Sequence, residues 1–202
     1  MSLSKLLAAV KAAVTRYSYN IAVATKSVAS LVAGASKIFS FKFHNIYTFE
    51  CYDAAGNLKW TETVRNQVMT AGINDLLTQY FKGSAYTAAF FVGLVDNASF
   101  SAYSAADTMA SHAGWLESTA YSNANRPTLT LGTASAGAID NSAAKAVFNI
   151  NATATILGGF VTTNSTKGGT TGTLFGAVSF TAGSRAVQSG DSLNVTCSLA
   201  AS

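Results

Sequence analysis

The chain has 202 residues, 49% of them apolar, which is enough for one domain with a sizeable core, or one domain and an arm, and excludes global disorder. Only 11% of the residues are charged, against roughly 25% in an average soluble protein, while Ser and Thr together contribute 46, a balance that favours weakly charged β-structure over a cytosolic enzyme. The net charge of +4 is uneven, because residues 1–42 contain six basic residues and no acidic one, whereas residues 43–202 contain seven basic and nine acidic ones.

The N-terminal segment, residues 1–37, has the apolar spacing of a helical seam. Between residues 3 and 38, apolar residues recur at alternating intervals of four and three, which is the spacing of a coiled coil. We therefore expect a helical arm that takes part in assembly, with an extended arm lying across a neighbouring molecule as the alternative. The positions predicted to form the assembly interface are Leu3, Leu7, Val10, Val14, Tyr17, Ile21, Val28 and Leu31.

The basic residues of this arm lie five or more positions apart. They predict attraction to an acidic partner surface, with simple solubility as the alternative. A nucleic-acid site needs aromatic side chains between the basic ones, and only Tyr17 and Tyr19 lie near them, so no nucleic-acid partner is predicted. Lys11 and Arg16 interrupt the apolar stretch, so neither a membrane span nor a cleaved secretory signal is expected, and the Ser- and Ala-rich polar face argues against a membrane-surface helix.

A period of two begins near residue 38 and predicts the start of a β-rich body, residues 38–202. Phe39, Phe41 and Phe43 alternate with other residues, and this pattern predicts a strand that continues to Tyr52. Residues 53–57 have the composition of a turn, and residues 58–64 predict the returning strand.

Residues 70–81 predict one short helix in this body. Thr70 is its expected N-cap and Gly83 its expected end. We expect its apolar stripe to cover one face or end of a sheet. The stripe consists of Ile73, Leu76, Leu77, Tyr80 and Phe81.

The remainder of the chain predicts further strands around one long loop. Residues 88–95 form a continuous apolar run, typical of a strand buried on both faces, and residues 96–126 show little periodicity and predict a functional or assembly loop. Further strands are predicted at residues 128–131, 147–156, 158–164, 174–181 and 193–199, with turns at 132–141, 167–172 and 182–191. The fold class is therefore mainly β, an antiparallel β-sandwich or jelly-roll-like body with one short helix and an N-terminal arm.

Few residues of the chain are suited to catalysis. His44 and His112 are the only histidines, and Cys51 and Cys197 are too few for a disulfide scaffold or a zinc site, so two buried free thiols are expected. Asp107, His112 and Glu117 share the long loop, but no further ligand supports a metal site there; instead we expect Asp107 to cap a turn and Trp115 to anchor the loop. The glycine pairs near residues 158 and 168 lack the spacing of phosphate-binding loops. No enzyme activity, catalytic residue, metal or cofactor is predicted.

Several stretches of the body form a recognisable succession. They are Phe49-Glu50-Cys51-Tyr52-Asp53, Gly56-Asn57-Leu58-Lys59-Trp60, residues 66–77 (Asn66 to Leu77), Phe91-Val92-Gly93-Leu94-Val95, residues 107–117 (Asp107 to Glu117), Tyr121, Arg126-Pro127 and residues 189–196. This succession resembles a family of tailed-bacteriophage virion proteins over about residues 46–199, most specifically at residues 107–117. The arm lies outside the resemblance.

The resemblance implies a virion structural role, as a capsid decoration or cement protein or as a head or tail fibre. A decoration protein is expected on the capsid surface, made in the bacterial host cytoplasm, with the major capsid protein and copies of itself, as dimer or trimer, as partners. The alternative is a fibre adhesin that binds a host-surface glycan or protein, with Tyr103, Trp115 and Tyr121 as sugar-stacking candidates. The expected loop contacts are Asp107, His112, Trp115 and Glu117.

Overall fold

The computed structural model describes Ser4, Leu7, Lys11 and residues 43–82, 89–98 and 100–201. The chain divides into two compact units, Met1–Lys42 and Phe43–Ser202. In the first unit, Ser4, Leu7 and Lys11 have helical conformation, as predicted for these positions, and the Leu7 side chain is 57% exposed. Residues 38–42 of the predicted first strand lie outside the described residues. The other positions of the predicted assembly interface also lie outside them; these positions are Leu3, Val10, Val14, Tyr17, Ile21, Val28 and Leu31.

The described part of the second unit contains one helix and a series of antiparallel strands. The helix, α1, spans Thr70–Lys82. The strands are β1 (Phe43–Tyr52), β2 (Leu58–Arg65), β3 (Gln67–Val68), β4 (Phe91–Asp96), β5 (Leu116–Ser118), β6 (Ala138–Asp140), β7 (Ala146–Asn149), β8 (Ala154–Thr162), β9 (Leu174–Ser179), β10 (Arg185–Val187) and β11 (Ser192–Ala201).

The strands form two antiparallel sheets. Sheet A has the order β2-β1-β11-β6, and β7 also pairs with β11; sheet B has the order β3-β9-β8-β4-β5, and β10 also pairs with β8. Strands β1 and β11 pair along their whole length, from Phe43 opposite Ala201 to Tyr52 opposite Ser192. The predicted antiparallel β-sandwich with one helix is therefore confirmed.

The main core lies between the two sheets. Alternate residues of β1 (Tyr47, Phe49 and Cys51) are fully buried, and this alternation is what makes β1 a strand with one inward face. The ring of Phe49 packs edge-on against Phe180 with ring centroids 4.8 Å apart. A side chain at Gly159 would meet the Phe49 ring at 2.9 Å, so the two sheets are in close contact here.

Sheet B is apolar on both faces. Val161 and Val178 belong to the core between the sheets, whereas Phe160 and Ala177, their neighbours in sequence, belong to a second buried cluster with Met109. Because successive residues of a strand point to opposite faces, the second cluster covers the outer face of sheet B. This double burial explains why β4, β8 and β9 have continuous apolar sequences.

Several predicted strands differ from those observed. Residues 128–131 form only an isolated bridge between Thr128 and Phe91, because their backbone pairs too briefly for a strand. The predicted strand at 147–156 is divided, since β7 ends at Asn149 and β8 begins at Ala154, with exposed residues between them. Strands β6 and β10 lie inside predicted turns, and β5 lies inside the predicted loop.

Helix α1 occupies the predicted residues but differs in its N-cap and its orientation. The Met69 carbonyl accepts the first helical hydrogen bond, from the Ile73 N–H at 3.1 Å, so Met69 and not Thr70 is the N-cap residue. A Cβ atom at Gly72 would lie 2.5 Å from the Phe175 carbonyl oxygen, so the helix approaches β9 through a glycine. Only part of the predicted apolar stripe faces the sheet: Leu76 is half-buried and lies beside Phe175, whereas Ile73 and Leu77 are 43% and 46% exposed.

Candidate functional site

A buried carboxylate fixes the conformation of part of the long segment between β4 and β6. Asp107 is 9% exposed, and its Oδ2 atom accepts hydrogen bonds from the Ser104 N–H at 3.0 Å and from the Trp115 indole Nε1 at 2.9 Å. The first bond closes a turn and the second fixes the indole ring. The expectation that Asp107 caps a turn is therefore confirmed.

Trp115 anchors this segment on the outer face of sheet B. Its side chain is fully buried, stacks on the His112 ring with centroids 4.0 Å apart, and contacts Phe160 at 5.1 Å between ring centroids. The His112 Nδ1 atom lies 3.0 Å from the Trp115 carbonyl oxygen. Three of the four predicted loop contacts, Asp107, His112 and Trp115, therefore belong to one internal cluster. Contact with a partner through these residues stays a prediction, and the Trp115 side chain is not at the surface.

Glu117, the fourth predicted contact, forms a buried clamp with Arg126. The carboxylate accepts a bidentate pair of hydrogen bonds from Arg126, at 2.9 Å from Nε and 2.7 Å from Nη2, and a third from the Gly168 N–H at 2.8 Å. Arg126, which is 2% exposed, also donates to the carbonyl oxygens of Asn164 and Gly169, each at 2.9 Å. A bidentate, charge-assisted pair of this kind is among the stronger polar contacts in proteins. We call these interactions the Arg126 clamp.

The sequence reasoning missed the Arg126 clamp. Arg126 is the only charged residue between Glu117 and Asp140. A lone arginine in a long uncharged stretch is the one feature of the sequence that could have indicated this ion pair. Its partners at residues 164 and 169 lie far along the chain, so the spacing of residues did not indicate them.

The aromatic side chains predicted to stack on a sugar pack inside the protein. Tyr121 is fully buried, Lys167 lies 4.6 Å from its ring centroid, and burial is the main cause that raises the pKa of its hydroxyl. Tyr103 is half-buried and donates a hydrogen bond to the Val178 carbonyl at 2.9 Å, and burial raises its pKa to about 12. Together with the buried Trp115, these rings form no exposed stacking platform.

The two thiols are buried and free, as predicted. Burial is the main cause that raises the pKa of both Cys51 and Cys197 to about 12, and the neighbouring Asp191 carboxylate adds to the shift at Cys51. Thiols with such pKa values are protonated at neutral pH and are poor nucleophiles. Among the described residues, no group of three or more His, Cys, Asp or Glu side chains is placed to hold a metal ion.

Half of the sixteen charged residues in residues 43–202 form ion pairs with one another in the described structure. Lys59 pairs with Asp191 at 2.6 Å and Lys145 with Glu50 at 2.5 Å. Arg185 pairs with Glu62, which is itself buried. With the Arg126 clamp, four basic side chains that the structure describes in residues 43–202 are paired. These charges tie strands and loops together and leave few for a charged ligand.

The exposed face of α1 carries three of the large apolar side chains that the described residues expose. Ile73, Leu77 and Tyr80, at 43%, 46% and 80% exposure, lie on successive turns of the helix. A shallow apolar groove of about 270 Å³ is lined by Tyr80 together with Leu76, Phe90 and Phe175. We call Ile73, Leu77 and Tyr80 the α1 face. Clustered exposed apolar residues of this kind mark contact sites for other molecules.

No protein-family model matches the chain, and no curated protein matches it closely enough to count as a relative. Among the described residues, no helix is long and apolar enough to cross a membrane.

Proposed function

We propose that the protein is a bacteriophage virion structural protein that decorates the outer capsid shell and stabilises the head. In this role it binds the major capsid protein and copies of itself, as a dimer or trimer. The resemblance of residues 46–199 to tailed-phage virion proteins supports the class. The β-sandwich body, with its buried thiols and internally paired charges, supports a passive structural role.

The α1 face is the observation that carries this proposal. Exposing Ile73 and Leu77 to water costs free energy at about 25 cal/mol for each Å² of apolar surface, and a partner that covers them recovers it. The helix is fixed in this orientation by the close approach of Gly72 to β9, so it cannot turn its stripe inward without losing that packing. A permanent subunit contact is the simplest use of such a surface.

The decoration role is preferred to the fibre adhesin because the aromatic rings predicted to stack on a sugar are packed inside the protein. Trp115 and Tyr121 are fully buried. The loop that was expected to bind a receptor also contributes Met109 to the second buried cluster. A deletion of residues 96–114 would therefore remove part of the core. Such a deletion cannot distinguish a capsid decoration protein from a fibre adhesin.

The test uses a double variant of the α1 face, Ile73→Lys with Leu77→Lys, mixed with capsids that lack the protein. Both positions are exposed, so we expect the variant to fold, which circular dichroism checks, and to remain in the supernatant when the capsids are sedimented. Leu58→Lys is the matched control, because Leu58 is 56% exposed but lies at the start of β2. The control should sediment with the capsids like the unaltered protein. Capsid binding by the folded double variant at undiminished affinity would contradict the proposal.

A further inference from the structure

A polar cleft of about 590 Å³ lies at the edge of sheet B where β5 is the last strand. Its walls come from the end of β4, from β5 and the residues after it, and from the link between β7 and β8. Its volume is within the range of about 300–1,000 Å³ that is typical of small-molecule sites. The polar residues that line it include Asp96, Asn97, Glu117, Ser118, Asn151 and Thr153.

The cleft is preformed, because backbone hydrogen bonds hold its walls. The Asn97 N–H donates to the Thr155 carbonyl at 2.9 Å, and the Asn151 N–H donates to the Ala120 carbonyl at 3.2 Å. The Asp96 Oδ1 atom accepts from the Ala98 N–H at 2.7 Å, which fixes the turn after β4. A ligand would therefore find these walls already in place, and binding would cost little ordering of the protein.

The lining chemistry favours an uncharged ligand rich in hydroxyl groups. Residues with hydroxyl, amide and carboxylate groups line the cleft together with four alanines. Arg126 neutralises the Glu117 carboxylate, so Asp96 is the only lining carboxylate outside the ion pairs that the described residues form. One uncompensated carboxylate is too few for a divalent cation, which takes several oxygen ligands of this kind. The alanine methyl groups offer small apolar patches beside the polar atoms.

A ligand can reach only the exposed residues of the lining. Asn97, Asn151 and Thr153 are exposed and present amide and hydroxyl groups. Ser118 is not among them, because it is 2% exposed and less than 1 Å² of its hydroxyl oxygen is accessible.

We propose that this cleft binds a neutral saccharide. A pyranose presents hydroxyl groups around its edge, which match the amide, carboxylate and hydroxyl groups, and C–H faces, which match the alanine methyl groups. This site differs from the aromatic loop site of the adhesin alternative, since the described lining contains no aromatic side chain. The proposal does not rest on the capsid role of the protein.

The experiment is saturation-transfer difference NMR on the full chain. The probes are methyl α-D-glucopyranoside, methyl α-D-galactopyranoside and N-acetylglucosamine, each measured alone, with glycerol as a polyol that lacks a ring. We expect saturation transfer to at least one sugar and none to glycerol. The variant Ala152→Tyr should abolish the signal, because residue 152 is an exposed lining position and a tyrosine there fills the cleft.

Two further variants complete the design. Asn151→Ala should weaken binding about five-fold, the worth of one neutral hydrogen bond, because Asn151 is an exposed lining residue. Ala143→Tyr is the matched control, because Ala143 is also an exposed alanine in a connecting segment but does not line the cleft, and it should bind sugar normally. Absence of transfer to all three sugars would overturn the proposal. Transfer that persists in Ala152→Tyr, or that glycerol shows equally, would also overturn it.

Discussion

Arg126 shows how one residue organises the long segment between β4 and β6. It joins three stretches of chain that are distant in sequence: Glu117 in β5, Asn164 after β8, and Gly169 in the following turn. The anchoring roles of Asp107 and Trp115 could be predicted from the sequence, because a short polar residue in a turn and a lone tryptophan in a loop have few alternatives. The Arg126 clamp could not, because its partners are brought together only by the sheet.

Removing the Arg126 side chain is expected to destabilise the body strongly. Arg126→Ala leaves the Glu117 carboxylate buried without its cation, which costs about 3–5 kcal/mol of unfolding free energy. Urea denaturation followed by tryptophan fluorescence measures this change. Lys145→Ala is the control, since Lys145 and its partner Glu50 are both partly exposed, and it should cost about 1 kcal/mol or less. Equal effects of the two variants would show that the clamp adds no more than a surface pair.

The buried thiols predict a loss of stability at alkaline pH. The pKa of each thiol is raised from an ordinary value near 9 to about 12 in the folded protein. The folded state therefore binds the thiol protons more tightly than the unfolded state, so this stabilisation is complete below about pH 9 and is lost as the pH rises towards 12. The urea midpoint should be level from pH 7 to pH 8.5 and fall between pH 9 and pH 11. The double variant Cys51→Ala with Cys197→Ala should fall less steeply, and an identical slope would exclude the thiols as a cause.

At the scale of the element, the sequence predicted strands well where one face is buried and poorly where pairing is brief. The alternation of buried residues identified β1 and β11. Strands β3, β6 and β10 contain only two or three residues each, too few for a period to be recognised. The apolar stripe of α1 was placed correctly along the sequence, but only part of it faces the sheet, because a single glycine sets how the helix meets β9.

A side chain at Gly72 is expected to disrupt the contact between α1 and β9. Alanine favours a helix over glycine by about 1 kcal/mol, yet the new Cβ atom would lie 2.5 Å from the Phe175 carbonyl oxygen. We expect the clash to dominate, so that Gly72→Ala lowers the unfolding free energy by about 1–3 kcal/mol in urea denaturation.

Gly132→Ala is the matched control for this prediction. The nearest atom to a Cβ at Gly132 is the Asp140 carbonyl oxygen at 3.5 Å, an ordinary contact, so the stability should change little. If Gly72→Ala were more stable than the unaltered protein, helix propensity would outweigh the close approach and the orientation of α1 would need another explanation.

At the scale of the whole molecule, the second unit builds three layers from a sequence with few charges. Sheet A and sheet B enclose the main core, and the segment that carries Met109 and Trp115 covers the outer face of sheet B. The Arg185–Glu62 ion pair joins β10 of sheet B to β2 of sheet A, while the α1 face remains exposed. The fold class followed from composition and periodicity, but the exposed face and the polar cleft followed only from the assembled layers.

The measurement that tests the capsid role most directly is the copy number of the protein in purified phage particles, relative to the major shell protein, by quantitative mass spectrometry. A decoration protein covers the shell, so we predict a count close to that of the shell protein. A handful of copies per particle, or none, would contradict the capsid role; a handful would favour a fibre at the tail or at a vertex.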